Sequence, residues 1–253
     1  MTRYVTPLRE GGSLPAIIEA DDDGLYVLKF RGAGQGLKAL VAELLSGEIA
    51  RHVGLRVPEI VFATLDRELS RLEPDPEIQD LLRASAGSNL AMDFLPGSMT
   101  FDPVVETVDA RLASQIVWLD ALITNVDRTA RNTNMLMWHK NLWLIDHGAS
   151  LFFHHAWQNW EEQSRRPFTQ IKDHVLLSSA TELDAVDEEL KARVSDDVIA
   201  KIVDLVPDEW LADELQLRSV AEKRVVYKTF LQNRIEQSRV FVEEAQRARE
   251  ASV

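Results

Sequence analysis

The chain has 253 residues, 45% of them apolar and 27% charged, so it can bury a sizeable core, and one or two domains is the natural count. Its 28 Lys and Arg against 41 Asp and Glu leave a formal net charge of −13, which argues against direct nucleic-acid binding through a concentrated positive surface. There is no cysteine, hence no disulfide framework, thiolate metal cage or thiol nucleophile, and no apolar run approaches the roughly 18 residues of a membrane span.

The opening, MTRYVTPLREGG, lacks the apolar core of a signal peptide, so the chain reads as a soluble, cytoplasmic, globular protein. Ala16–Ala20 (AIIEA) and Leu25–Phe30 (LYVLKF) predict two strands around the turn Asp21-Asp22-Asp23-Gly24. Arg31–Gly36 is too glycine-dense for either regular element. From Leu37 to Val53 apolar residues recur at helical spacing, with Gly54 as a cap, and Ile60–Leu65 reads as a further strand. Asp66 to Ser88 is polar and contains Pro74 and Pro76, which suggests loop or short helix. Leu90–Leu95 reads as a strand ending at Pro96-Gly97. Asp109–Thr124 carries one apolar helical face, Asn125–Asn134 is a polar loop, and Met135–Trp138 with Leu142–Ile145 predicts a second hairpin. Residues 154–170 are irregular and aromatic, and from about 182 onward the chain is mostly helical. The pattern is α+β, a β-rich first third joined to a larger helical part.

Four positions in this order could share one chemistry. Lys29 lies inside an apolar strand, where its charge must face either water or a partner. Asp127 and Asn132 stand five apart in the polar loop; one suits orienting a hydroxyl and the other holding a metal ion, a spacing shared with the protein-kinase catalytic loop, although Asn and Asp also simply favour turns. Asp146 ends the run Leu142–Ile145 and is followed by His147-Gly148; an acid there needs a donor or a metal, and magnesium prefers one or two carboxylates with phosphate oxygens. A helix glutamate completes the set. Winding the first helix at 100° per residue puts Glu48 inside the apolar face and Glu43 at its edge, which slightly favours Glu48 as the partner of Lys29.

This ordered set resembles the HipA-like kinases, within the broader protein-kinase and phosphatidylinositol-kinase fold. The carrying segments are YVLKF (26–30), AELLSGEIARHVGLRVP (42–58), LDALITNVDRTARNTNMLM (119–137) and LWLIDHGASL (142–151), and the similarity runs from about residue 10 to 155. The resemblance implies a two-lobed kinase-like fold in one domain, with a small β-rich lobe and hinge at 1–95 and a larger, mainly helical lobe at 96–253. It implies that Lys29 contacts the ATP phosphates and that Glu43, rather than Glu48, holds it. Asp127 would be the catalytic aspartate, with Asn132 and Asp146 as Mg2+ ligands. Met92, Asp93, Phe94 and Leu95 would line the adenine site as the hinge, and Gly11, Gly12 and Ser13 would cover the phosphates. Two features depart from the protein-kinase pattern: the glycine spacing near Gly11 is not G-x-G-x-x-G, and His147 replaces a Phe.

The expected activity is ATP- and Mg2+-dependent transfer of a phosphoryl group to a hydroxyl acceptor, a protein Ser or Thr first and a small molecule second. The competing readings are a nucleotide-binding pseudokinase regulator, and an α+β domain with no nucleotide site, which requires Lys29 and Asp146 to lie more than about 10 Å apart because a phosphate–metal cluster needs near neighbours. Arg128 and Arg131, beside Asp127, could pair with Asp127, with Asp146 or with a phosphate, or be solvated. The adjacent His154-His155 diverge, which speaks against zinc. Trp157, Trp160 and Trp210 read as core or substrate-loop packing.

Overall fold

The computed structural model describes residues 3–8, 15–34, 36–212 and 219–251. Five antiparallel strands form the first sheet: β1 (Arg3–Pro7), β2 (Ala16–Glu19), β3 (Leu25–Lys29), β4 (Ile60–Leu65) and β5 (Gly87–Asp93), in the order β1-β2-β3-β5-β4. Helix α1 (Leu37–His52) follows β3, and α2 (Pro76–Ala84) precedes β5. The polar stretch after β4 therefore holds a true helix, started by the Asp75 side chain accepting from the Glu77 amide with Pro76 in the first turn. β1 was not foreseen from the sequence; mostly exposed on an edge, it has only a weak apolar pattern.

Beyond β5 come β6 (Met99–Thr100), α3 (Ala110–Leu122), β7 (Met135–Trp138) and β8 (Asn141–Leu144), with β6-β7-β8 a small second sheet. The remainder is helical: α4 (Trp160–Ser164), α5 (Leu183–Arg193), α6 (Asp196–Asp204), α7 (Asp208–Leu211), α8 (Val220–Glu236) and α9 (Ser238–Ala251). The fold sets a small antiparallel sheet region beside a larger helical part. No helix among the described residues is long and apolar enough to cross a membrane.

Alternation along β3 and β5 places the candidate lysine. Leu28, Phe30 and Ala91 point into a small core that also holds Ile18, Leu65 and Leu82. Leu90 and Met92 point the other way, into the main core with α1 and α3. Lys29 pairs in register with Leu90 and so shares that second face.

Candidate active site

Lys29 Nζ lies 2.5 Å from Glu43 Oε2 and 2.7 Å from Asp146 Oδ1. Three elements meet here: the end of β3, the second turn of α1 and the residue just after the β8 hairpin. Asp146 is reached through a left-handed backbone (φ 57°), which turns the chain out of the strand direction at this residue. The Lys29–Asp146 contact joins positions 117 apart in sequence and lies well within the about 10 Å that the reading without a nucleotide site requires to be exceeded. Burial alone pushes the Lys29 ammonium down, but the Glu43 and Asp146 carboxylates outweigh it and hold the group well above the usual lysine range. Burial likewise pushes the Glu43 carboxyl up, and Lys29 with His147 overrides it, keeping Glu43 ionised. The helical-wheel preference for Glu48 is corrected: Glu48 faces Arg51 at 3.7 Å, while Glu43 is fully buried on Lys29.

The loop after α3 carries the second half of the site. Asp109 caps α3 by accepting from the Leu112 amide, and the helix ends into Thr124 with φ 54°. Asp127 Oδ2 then accepts from Asn132 Nδ2 at 2.9 Å and from Asn134 Nδ2 at 3.2 Å. The Ile145 amide donates to the Asn134 carbonyl at 3.0 Å, which brings the Asp127 loop beside the residue preceding Asp146. Asn134 was missed by sequence reasoning; its one signal is an Asn at a left-handed position (φ 47°), a conformation Asn tolerates better than most residues.

Arg128 corrects a further expectation, since it meets neither Asp127 nor Asp146. It is 1% exposed, its Nε donates to Asp120 Oδ2 at 2.6 Å, and its Nη1 donates to the Asn134 carbonyl. Asp120 on α3 also accepts from Asn125 Nδ2 at 3.0 Å and His174 Nε2 at 2.9 Å. The Leu176 amide donates to His174 Nδ1, so Nε2 carries the proton. Burial pushes the Asp120 carboxyl up, but Arg128 and His174 bring it well below the usual range. Buried polar groups at i and i+8 across a helix end gave no sequence signal that they would meet. Arg131 is exposed.

The remaining expected site residues lie as follows. Met92 and Asp93 end β5, where the Asp93 amide donates to Glu59 and the Phe94 amide to Leu25; Leu95 is buried. Gly12 and Ser13 lie outside the described residues. Trp210 packs on Phe62 of β4, with ring centroids 5.5 Å apart, and donates to the Ser88 carbonyl. Trp157 packs edge-on to Phe153 and Tyr227.

By residue type, the Asp146 carboxylate and the Asn132 amide oxygen are hard donors of the kind magnesium takes, and among the described residues there is no cluster of three His, Cys, Asp or Glu side chains that could form a complete protein cage. A site of one carboxylate and one amide, finished by phosphate oxygens and water, is what this ion takes.

A family model described as HipA-like kinase matches residues 2–240. The crystal structure of the Helicobacter pylori proinflammatory kinase CtkA aligns with a TM-score of 0.58 at 14% identity, covering 98% of this chain and 95% of that one. The Shewanella oneidensis MR-1 toxin–antitoxin structure of HipA with HipB and operator DNA aligns at 0.45 and 12% identity, over 96% of this chain and 67% of that one. No curated protein sequence matches.

Proposed function

This chain belongs to the HipA-like kinase family, and we propose that it is an ATP- and Mg2+-dependent kinase whose acceptor is a protein serine or threonine hydroxyl. The observation that carries the reading is the Lys29–Glu43–Asp146 cluster, a strand lysine held by a helix glutamate beside the acid that follows the β8 strand, the arrangement that phosphoryl transfer uses to engage nucleotide phosphates. Residues 1–95 then form the nucleotide-side lobe with its hinge at Met92–Leu95, and residues 96–253 the lobe that receives the acceptor.

In this reading Lys29 holds the phosphate tail, kept charged and aimed by Glu43. Asp146 and Asn132 would hold the metal, which would offset phosphate charge. Asp127 orients the acceptor hydroxyl and takes its proton, so the chain contributes positioning and electrostatics rather than a covalent intermediate. Asp127 is half-buried on a loop, a position an acceptor can reach from solvent.

The test is thermal unfolding with and without Mg-ATP, for the wild type and Asp146→Asn. At about 100 times Kd, a ligand that binds only the folded state adds about 2.7 kcal/mol of stability. The expected result is a raised midpoint that Asp146→Asn abolishes; no rise at saturating millimolar Mg-ATP overturns the reading. Labelled γ-phosphate transfer to protein against small-molecule alcohols then decides the acceptor class.

A further inference from the structure

We infer that His147 is a positioning residue, holding the Glu43 carboxylate on α1 so that Lys29 stays aimed at the nucleotide phosphates; this rests on the function proposed above. Glu43 uses both carboxylate oxygens, Oε2 towards Lys29 and Oε1 towards His147 Nδ1 at 3.2 Å. A hydrogen bond to an ionised carboxylate requires Nδ1 to be the donor. Both side chains are fully buried, so no water substitutes for this partner.

A single bond from Lys29 would leave the carboxylate free to rotate about its terminal torsion; a second bond to the opposite oxygen fixes its plane. The connection also closes on itself. His147 is the chain neighbour of Asp146, and Asp146 binds Lys29, so Lys29, Glu43, His147 and Asp146 form a ring that joins β3, α1 and the segment after β8. Gly148 backs onto the same helix, since a Cβ added there would sit 3.6 Å from Ala39 Cβ. A phenylalanine at position 147 would fill similar space yet leave Glu43 Oε1 buried without this donor.

The experiment measures two quantities on wild type, His147→Phe, His147→Asn, Glu43→Gln and the Glu43→Gln/His147→Phe double variant. One is the acetylation rate of Lys29 in the nucleotide-free protein, by mass spectrometry, with exposed Lys140 as internal reference. The other is the Mg-ATP Kd by calorimetry. His147→Phe is expected to raise both by about tenfold, the worth of a hydrogen bond to a charged group. His147→Asn, whose Nδ2 can stand where Nδ1 stood, recovers most of the wild-type values. The double variant behaves as Glu43→Gln alone, an epistasis that a merely structural loss of packing does not produce. Wild-type Lys29 reactivity in His147→Phe, or additive effects in the double variant, overturns the inference. If the wild type binds no Mg-ATP, the proposed function falls while the acetylation arm still decides the role of His147. Should His147→Phe fail to fold, His147→Leu takes its place.

Discussion

Asp127 receives two amide donors, Asn132 and Asn134, both on Oδ2. Two donors from one loop fix the direction of this carboxylate before an acceptor arrives. Asp127→Ala is therefore expected to cut turnover by about 10²-fold or more while the Mg-ATP Kd moves little, a split read by single-turnover kinetics beside calorimetry. Equal losses in both would assign Asp127 to nucleotide binding instead. At this scale much was legible: the Asp-x4-Asn spacing, a lysine inside an apolar strand and an acid at a strand end each signalled a need for partners. The choice between Glu43 and Glu48 was not legible from helical periodicity, which misdirected it.

The cause of that misdirection belongs to the element. α1 is buried nearly all round, from Leu40 through Gly47 and again at Ile49 and Ala50, between β4, β5, α6 and α7. A helical wheel assumes one wet face and one dry face, and a central helix has no such contrast. The loop after α3 shows a related limit. Its shape depends on the buried Asp120–Arg128–His174 group, whose members come from α3, the loop itself and the segment before α5. The Thr129–His174 bridge and the Val175 amide donating to the Arg128 carbonyl fasten the same two segments. Removing one partner from a buried ion pair strands the other charge, so Arg128→Met is expected to cost about 3–5 kcal/mol in urea unfolding. The Asp120→Asn/Arg128→Met double variant should cost less than the sum of the single changes. Additive costs would show that the two groups act independently.

Across the whole molecule, two apolar cores sit on opposite faces of the first sheet, and the larger one continues through α1 into the helical part. The short α7 adds a strap: Trp210 packs on β4, and Glu209 pairs with Arg31 at 2.7 Å. Buried titratable groups in this continuous interior make stability depend on pH. His154, buried beside Tyr227, is held well below the usual histidine range by burial first, then by His155 and Lys38. Above the unfolded histidine value of about 6.5 it is neutral in both states; as pH falls through that value the unfolded chain takes up a proton that the native state refuses. Stability is thus present above about pH 6.5 and lost below it, and the depressed Asp120 and Glu43 carboxyls add a second loss below about pH 4. A melting series from about pH 8 to 4 should show the first decline, and His154→Asn should flatten it between about pH 7 and 5. An unchanged decline would place its origin elsewhere.

The sequence by itself determined the α+β class, the order of nearly all the elements, and the residue types of the candidate site with their spacing. These follow from local physics: periodicity of 2 or 3.6, turn chemistry, and the cost of a charge in an apolar run. The resemblance already pointed to Glu43 against the helical wheel; the tertiary structure alone decided that Arg128 turns inward to Asp120 rather than towards phosphate, that Asn134 supports Asp127, and that His147 closes on Glu43. Each is a contact between side chains whose separation along the chain carries no periodic signal, fixed only when β3, α1, α3 and the β7–β8 hairpin pack against one another.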